Sequence, residues 1–444
     1  AVGAVTVTVT GTTAVADLAV NGVNTTNDFD ATLNLNGALT VAAEGTVVLT
    51  AAAKADAILN LKGAGTNALV AATLDDDTGL AQLNLAGTAA QTVTGTIDSV
   101  GTAEGTVNVQ NTGGTVTFSG IIGGSAGVKE VTTVASSTAV FSGATLTSAT
   151  LTNAGTATAN GATSFLVDTV TNSGTLTVKA ATIKGDSGVD VQTITNTGTL
   201  NLIGEATVTA TATIVSGVDG TGVINIYDGS GGAAIVNTIS GLIGAADASL
   251  ATLNVGGDDS SNTDAGRVVF SADVNVDTVT ITSGEDASEQ STATFADNLN
   301  AVTTTLTTDT GGDAQAIFAA GSGATTIVNG TIDGAGDVNV VSAGTGTTTF
   351  NGNLGSSTPL KNLHVGDADI ADINGNLTAT TITFDDATSE LEITGATAQT
   401  VTGLIDGDTT GGIGILQISN DATIVSNIGA THELADIIIA DAKS

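Results

Sequence analysis

Six of the nine phenylalanines in this chain recur at a nearly constant interval: Phe118, Phe141 and Phe165 are spaced by 23 and 24, and Phe270, Phe295 and Phe318 by 25 and 23. Such an interval matches one coil of a β-solenoid. Two or three strands of about 5–6 residues plus their turns complete a lap, and the next coil stacks about 4.8 Å above it. Equivalent side chains of successive coils then meet in columns, so the spacing predicts that each phenylalanine triplet forms one.

The composition suits that architecture. The chain has 44 acidic residues against 8 basic ones and a formal charge of −36, yet 41% of it is hydrophobic and only 12% charged, which excludes a disordered acidic tail. Aromatic residues make up 2%, with no tryptophan. A wide globular core cannot be filled from this material, whereas many thin layers of Val, Ile, Leu and Ala can. Threonine and valine favour pleated, half-buried positions, and the single proline, Pro359, leaves the strand ladders uninterrupted.

Two further registers run beside the phenylalanines. Leu33-Asn34-Leu35-Asn36-Gly37, Leu59-Asn60-Leu61-Lys62-Gly63 and Leu83-Asn84-Leu85-Ala86-Gly87 recur at intervals of 26 and 24. Alternation places their leucines in the core and the central asparagine outside, with glycine at the corner. Thr152-Asn153-Ala154-Gly155-Thr156, Thr171-Asn172-Ser173-Gly174-Thr175 and Thr195-Asn196-Thr197-Gly198-Thr199 recur at 19 and 24, and their Asn-x-Gly core is turn chemistry. Longer blocks repeat too: 105–131 aligns with 336–365, and more loosely with 222–255 and 414–439. GTID at 95–98 and 330–333 and GLID at 403–406 precede three of them, and AQTVTG occurs verbatim at 90–95 and 398–403.

These patterns define an all-β chain, a β-solenoid (β-helix) with coils of about 19–26 residues. Roughly 18 coils would form a rod of about 90 Å. Residues 1–30 read as an N-terminal strand or cap. Residues 31–444 read as a continuous solenoid with internal modules at about 90–131, 222–255, 330–365 and 398–439, because no linker composition separates them. The strict alternation of Val5, Val7 and Val9 with threonine is either the first strand of the rod or an edge that pairs with another copy.

Several function classes fall away. Without cysteine there is neither a disulfide framework nor a thiolate metal site, and no apolar run reaches the length of a membrane-spanning helix. The negative charge opposes nucleic acid and anionic lipid, which recruit Lys and Arg. The absence of methionine, with no basic leader before Lys54, points to an exported chain whose signal peptide has been removed. Acid–base chemistry has little to work with: His364, expected to point outward from a strand, His432 in a corner, and one arginine, Arg267. Asn262-Thr263-Asp264 matches the first signature of polygalacturonases, but no Gly-His-Gly or Arg-x-Lys element accompanies it, so no catalytic residue is expected. A Thr-x-Thr ice-binding face would need one register, and here those triplets wander.

Calcium is the cofactor worth testing, because hard cations take carboxylate and carbonyl oxygens. The candidate ligands are Asp75, Asp76 and Asp77; Asp258, Asp259 and Asp264; Asp367, Asp369 and Asp372; and Asp385 and Asp386. No group follows an EF-hand or a Gly-Gly-x-Gly-x-Asp roll, and the favoured reading of each is solvated loop acid.

The phrases GTVTFSGIIGG, GTTTFNGNLGSSTPLKNLHV and NLTATTITFDDATSELEITG resemble the passenger regions of rickettsial outer-membrane-protein-B-type surface antigens and kindred S-layer-like proteins. The likeness is one of repeat style and covers about 95–123, 153–204 and 330–407. It implies an exported cell-surface protein forming a coat or an adhesive rod. Those antigens carry a C-terminal β-barrel translocator, whereas LADIIIADAKS at 434–444 is not preceded by barrel strands. The expected function is a secreted structural protein that self-assembles into an S-layer or filament, itself its main partner, with an outer-membrane or other surface anchor. A monomeric autotransporter-type adhesin and a polysaccharide-degrading β-helix enzyme are the alternatives.

Overall fold

The computed structural model describes residues 3–24, 28–52, 54–77, 79–101, 103–160, 164–179, 182–184, 193–204, 209–210, 213–227, 236–257, 265–284, 289–308, 312–342, 344–407 and 411–440. Among them the regular structure is entirely β, and the strands stack in parallel as a β-solenoid of about 16 turns. The expected 18 exceeds this because coils are longer than the phenylalanine interval over part of the chain. Ile224, Leu253, Val279, Thr304 and Ile332 occupy successive rungs, at sequence steps of 29, 26, 25 and 28.

The chain divides into two compact units: residues 1–203 with 208–213, and residues 204–207 with 214–444. In the first unit Val7, Leu33, Leu59, Leu83, Val107, Val131, Leu151, Val170 and Ile194 stand over one another in register. Period-two alternation produces this column: in Ala57–Leu61 the odd positions are buried and the even ones half-buried. Each large side chain so buried contributes about 1.5–3 kcal/mol. Beside the leucines, Asn34, Asn60, Asn84 and Asn108 form an outward ladder, each later Nδ2–H donating to the preceding Oδ1 at 3.0, 2.8 and 2.8 Å.

The Thr-Asn-x-Gly-Thr corners behave differently. Asn153, Asn172 and Asn196 are fully buried. Asn153 donates to Asn172 Oδ1 at 2.8 Å and Asn172 to Asn196 Oδ1 at 2.7 Å, and each of the two also donates to a corner carbonyl, Thr175 O or Thr199 O. The turn is therefore held from inside, by an amide column that satisfies buried backbone acceptors.

The first phenylalanine column is shorter than its spacing suggests. Phe118 and Phe141 are in register and stack, but the next rung holds Ala159. Phe165 pairs with Leu146 and Ile183 on a neighbouring ladder. The lap from Phe141 to Ala159 is shorter than the phenylalanine interval, so the side chain at 165 overshoots the corner and lands on the next face. In the second unit Phe270, Phe295, Phe318, Val340, Val365 and Phe384 share one column.

The repeated blocks have a common structural part. Ile97 bridges to Ile122, Ile332 to Leu354 and Ile405 to Ile428. The aspartate after each isoleucine catches the turn of the next coil: Asp98 accepts Ser125 N at 3.0 Å, Asp333 accepts Ser357 N at 2.8 Å and Asp406 accepts His432 N at 2.7 Å. The looser fourth block keeps the bridge, Ile214 to Ile243, but has Val215 where the aspartate would be.

Candidate functional site

A cluster of titratable residues lies on the outer face of three adjacent strands of the second unit, Asp337–Val340, Leu360–Val365 and Leu377–Phe384. Their alternation sends Val338, Val340, Leu363, Val365, Ile382 and Phe384 inward. Asp337, Asn362 and Thr381 are left as one outward rung, and Asn339, His364 and Thr383 as the next. His364 therefore points outward, as its place between two core residues requires. Its Nε2 lies 3.1 Å from Asp385 Oδ1 and its Nδ1 lies 3.0 Å from Thr383 Oγ1.

On the same face Lys361 bonds to Asp313 and reaches Asp337 at 3.7 Å. Burial pushes the Asp337 carboxyl above the usual carboxylate range, Lys361 opposing and Asp313 adding to the rise. The bond to Asp313 holds Lys361 above the ordinary lysine range. Hydroxyl, imidazole and carboxylate thus follow one another at Thr383, His364 and Asp385. Together Asp313, Asp337, Lys361, His364 and Asp385 link four successive coils on this face.

The calcium candidates are dispersed to separate tasks. Asp76 is buried and pairs with Lys129 at 3.4 Å, while Asp75 is half-buried opposite Thr50 and Asp77 is exposed. Asp369 is fully buried and accepts Ser342 N at 2.7 Å and Gly346 N at 3.2 Å. Asp372 accepts Thr349 Oγ1 at 3.1 Å from the preceding coil, and Asp367 is exposed. Asp385 holds His364, and Asp386 closes a turn by accepting Thr388 N at 2.7 Å and Ser389 N at 2.8 Å. Burial would raise the Asp386 carboxyl, but the donors from Thr388, Ser389 and Ala368 outweigh it and hold the carboxyl below the usual range. Among the described residues no three such side chains converge on a metal position. Asp258, Asp259 and Asp264, with the Asn262-Thr263-Asp264 triplet, lie outside the described residues.

Among the described residues the first strand is Gly3–Val9 and the last is Asp436–Ile439. Val7 and Val9 stand in register above Leu33 and Leu35, with Val5 above Ala31, so these valines face the column rather than away from it. Val5 and Val7 are nevertheless 58% and 49% exposed, and Val9 is half-buried, because this strand pairs along one edge only among the described residues. In the second unit Ile437 stands over Leu416 and Ile439 over Ile418, and they are 53% and 79% exposed. The alternation of Val5, Val7 and Val9 was legible in sequence. The 436–439 edge was missed, although its Ile-Ile-Ile run was the available signal.

No helix among the described residues is long and apolar enough to cross a membrane. Comparison with protein-family models, with curated proteins and with solved structures gave no match.

Proposed function

We propose that this chain is a secreted structural protein of the cell surface whose copies associate into a layer or filament, held there by an outer-membrane or other surface anchor, and that it has no catalytic role. The observation that supports this reading is the parallel β-solenoid of about 16 turns, with apolar side chains exposed on its first and last described strands. Val5 and Val7 at one strand, and Ile437 and Ile439 at another, present apolar side chains beside a parallel ladder that has one unpaired edge among the described residues. Backbone donors and acceptors on such an edge template another strand, and the apolar residues already stand where a further coil would continue the column. An edge of one kind meeting an edge of the other kind gives a heterologous, repeating contact, which builds open assemblies. The formal charge of −36 opposes close lateral packing, so divalent cations would favour it.

The test is light scattering at rising protein concentration with electron microscopy of the same samples. Ordered sheets or fibres are expected from the unaltered chain, and monomers from the double variants Val5→Lys/Val7→Lys and Ile437→Lys/Ile439→Lys. An unaltered chain that stays monodisperse and monomeric with and without calcium would contradict the proposal and favour an adhesin.

A further inference from the structure

The second unit carries an open groove of about 400 Å³, within the size range of ligand sites, beside a column of asparagines. We propose that this groove binds a neutral, hydroxyl-rich polymer, a glycan strand lying along the asparagine column. This inference rests on observations separate from the first and last strands and stands or falls apart from self-association.

The groove's chemistry follows from coil stacking. Asn275, Asn300 and Asn329 occupy successive coils, Asn300 Nδ2 donating to Asn275 Oδ1 at 2.9 Å and Asn329 Nδ2 to Asn300 Oδ1 at 2.6 Å. Each amide nitrogen has two hydrogens, and the ladder uses one. The second hydrogen of Asn300 and of Asn329 has no acceptor among the described residues. Beside them the Asp277 carboxylate lines the groove, its Oδ1 2.7 Å from Ser249 Oγ, whose hydroxyl also lies 3.0 Å from Asp219 Oδ1. Donors repeated at the coil rise, with an acceptor alongside, suit hydroxyl groups, which both give and take hydrogen bonds. A polyanion would meet the Asp277 carboxylate and the overall negative charge.

An apolar contact completes the site. Val302 lines the groove and is 69% exposed, turned outward by alternation after the buried Leu299 and Ala301, at the rung of Asp277 one coil earlier. A β-bulge sits beside it: the register between Leu299–Thr307 and Thr325–Gly334 shifts between Asn300 and Thr303. Opposite the bulge Gly330 has φ of +85°, and a Cβ there would lie 1.8 Å from Ala301 O. The bulge therefore depends on glycine, and Val302 beside it is a surface on which the C–H face of a sugar ring can rest.

The test uses the full chain and four neutral probes, cellohexaose, xylohexaose, maltohexaose and chitohexaose, with an oligogalacturonate as the anionic control, followed by saturation-transfer NMR and calorimetry. At least one neutral hexamer should bind better than its monosaccharide and than the oligogalacturonate. Val302→Asp and Asp277→Ala, each checked for an unchanged circular dichroism spectrum, should each weaken that binding about tenfold, the scale of one well-placed contact. Failure of all four hexamers to bind at millimolar concentration, preference for the oligogalacturonate, or binding unaffected by both substitutions would each overturn the proposal.

Discussion

Phe118 and Phe141 stack face to face, their ring centroids 5.3 Å apart and their planes 11° from parallel, one coil above the other. Phe165, at almost the same sequence interval from Phe141, sits over Leu146 instead. Truncating Phe141 to alanine should therefore remove ring stacking as well as buried volume and cost about 3–5 kcal/mol. Phe165→Ala, at a site between the aliphatic Leu146 and Ile183, removes buried volume but no ring stacking and should cost less than Phe141→Ala. Denaturant melts of the two variants would check the ordering, and equal losses would place both rings in equivalent columns.

The duplicated AQTVTG phrase puts a buried glutamine at the same structural task twice. Gln91 Nε2 donates to Leu61 O at 3.0 Å and Gly63 O at 2.7 Å, and Gln399 Nε2 donates to Ile373 O at 2.8 Å and Gly375 O at 2.7 Å. Replacement by leucine leaves two corner carbonyls unpaired and should cost about 1–3 kcal/mol at either site. Gln399→Glu should be worse at neutral pH, since a carboxylate would face those carbonyls. Its folded form would hold a proton that the unfolded chain releases, so the deficit should shrink as the pH falls toward about 4.3 and change no further below it. A deficit independent of pH would show that the carboxylate escapes to solvent.

Gly330→Ala should cost about 3 kcal/mol or more, because the bulge must open to admit the methyl group. Gly323→Ala, also at positive φ but with nothing within 4 Å of the added carbon, should cost about 1 kcal/mol, the backbone strain alone. Thermal melts of the pair separate steric collision from conformational strain.

Asp337 and Asp406 should respond to acid in opposite senses. The Asp337 carboxyl is raised by burial despite Lys361, so the folded chain retains its proton longer than the unfolded chain. Its contribution to stability is favourable at low pH and is lost as the pH rises through the folded value. Its Oδ1 is also buried without a partner, so Asp337→Asn should stabilise the protein at pH 7 by about 1 kcal/mol, with the gain vanishing below about pH 4. Burial would raise Asp406 too, but the donors from His432 and Thr431 outweigh it and lower the carboxyl. The stability it provides is present above the ordinary aspartate value and is lost as the pH falls through the folded one. Asp406→Asn should thus destabilise at neutral pH and matter little in strong acid. Melting temperatures from acid to neutral pH would reveal both signs, and parallel curves for the two variants would refute the assignment.

The candidate groove and the carboxylate assignments were far less legible than the fold. Asp76 and Asp77 are adjacent in sequence, yet one is buried against the distant Lys129 and the other faces solvent. Val302 reads as an ordinary outward strand residue, and only the stacking of its coil on that of Asp277 shows that it borders a groove. The repeated AQTVTG phrase was visible, but that its glutamine turns inward to cap the coil below follows from the corner geometry.

What the sequence alone determined is the coil: alternating aliphatic residues fix which face is buried, and the recurrence of Leu33, Leu59 and Leu83 fixes which side chains meet one lap later. What only the tertiary structure decided is where each lap ends. Corner length varies from coil to coil, and a slightly longer or shorter turn moves every later side chain around the section. That is why the Phe270, Phe295 and Phe318 column could be read from spacing and the displacement of Phe165 could not.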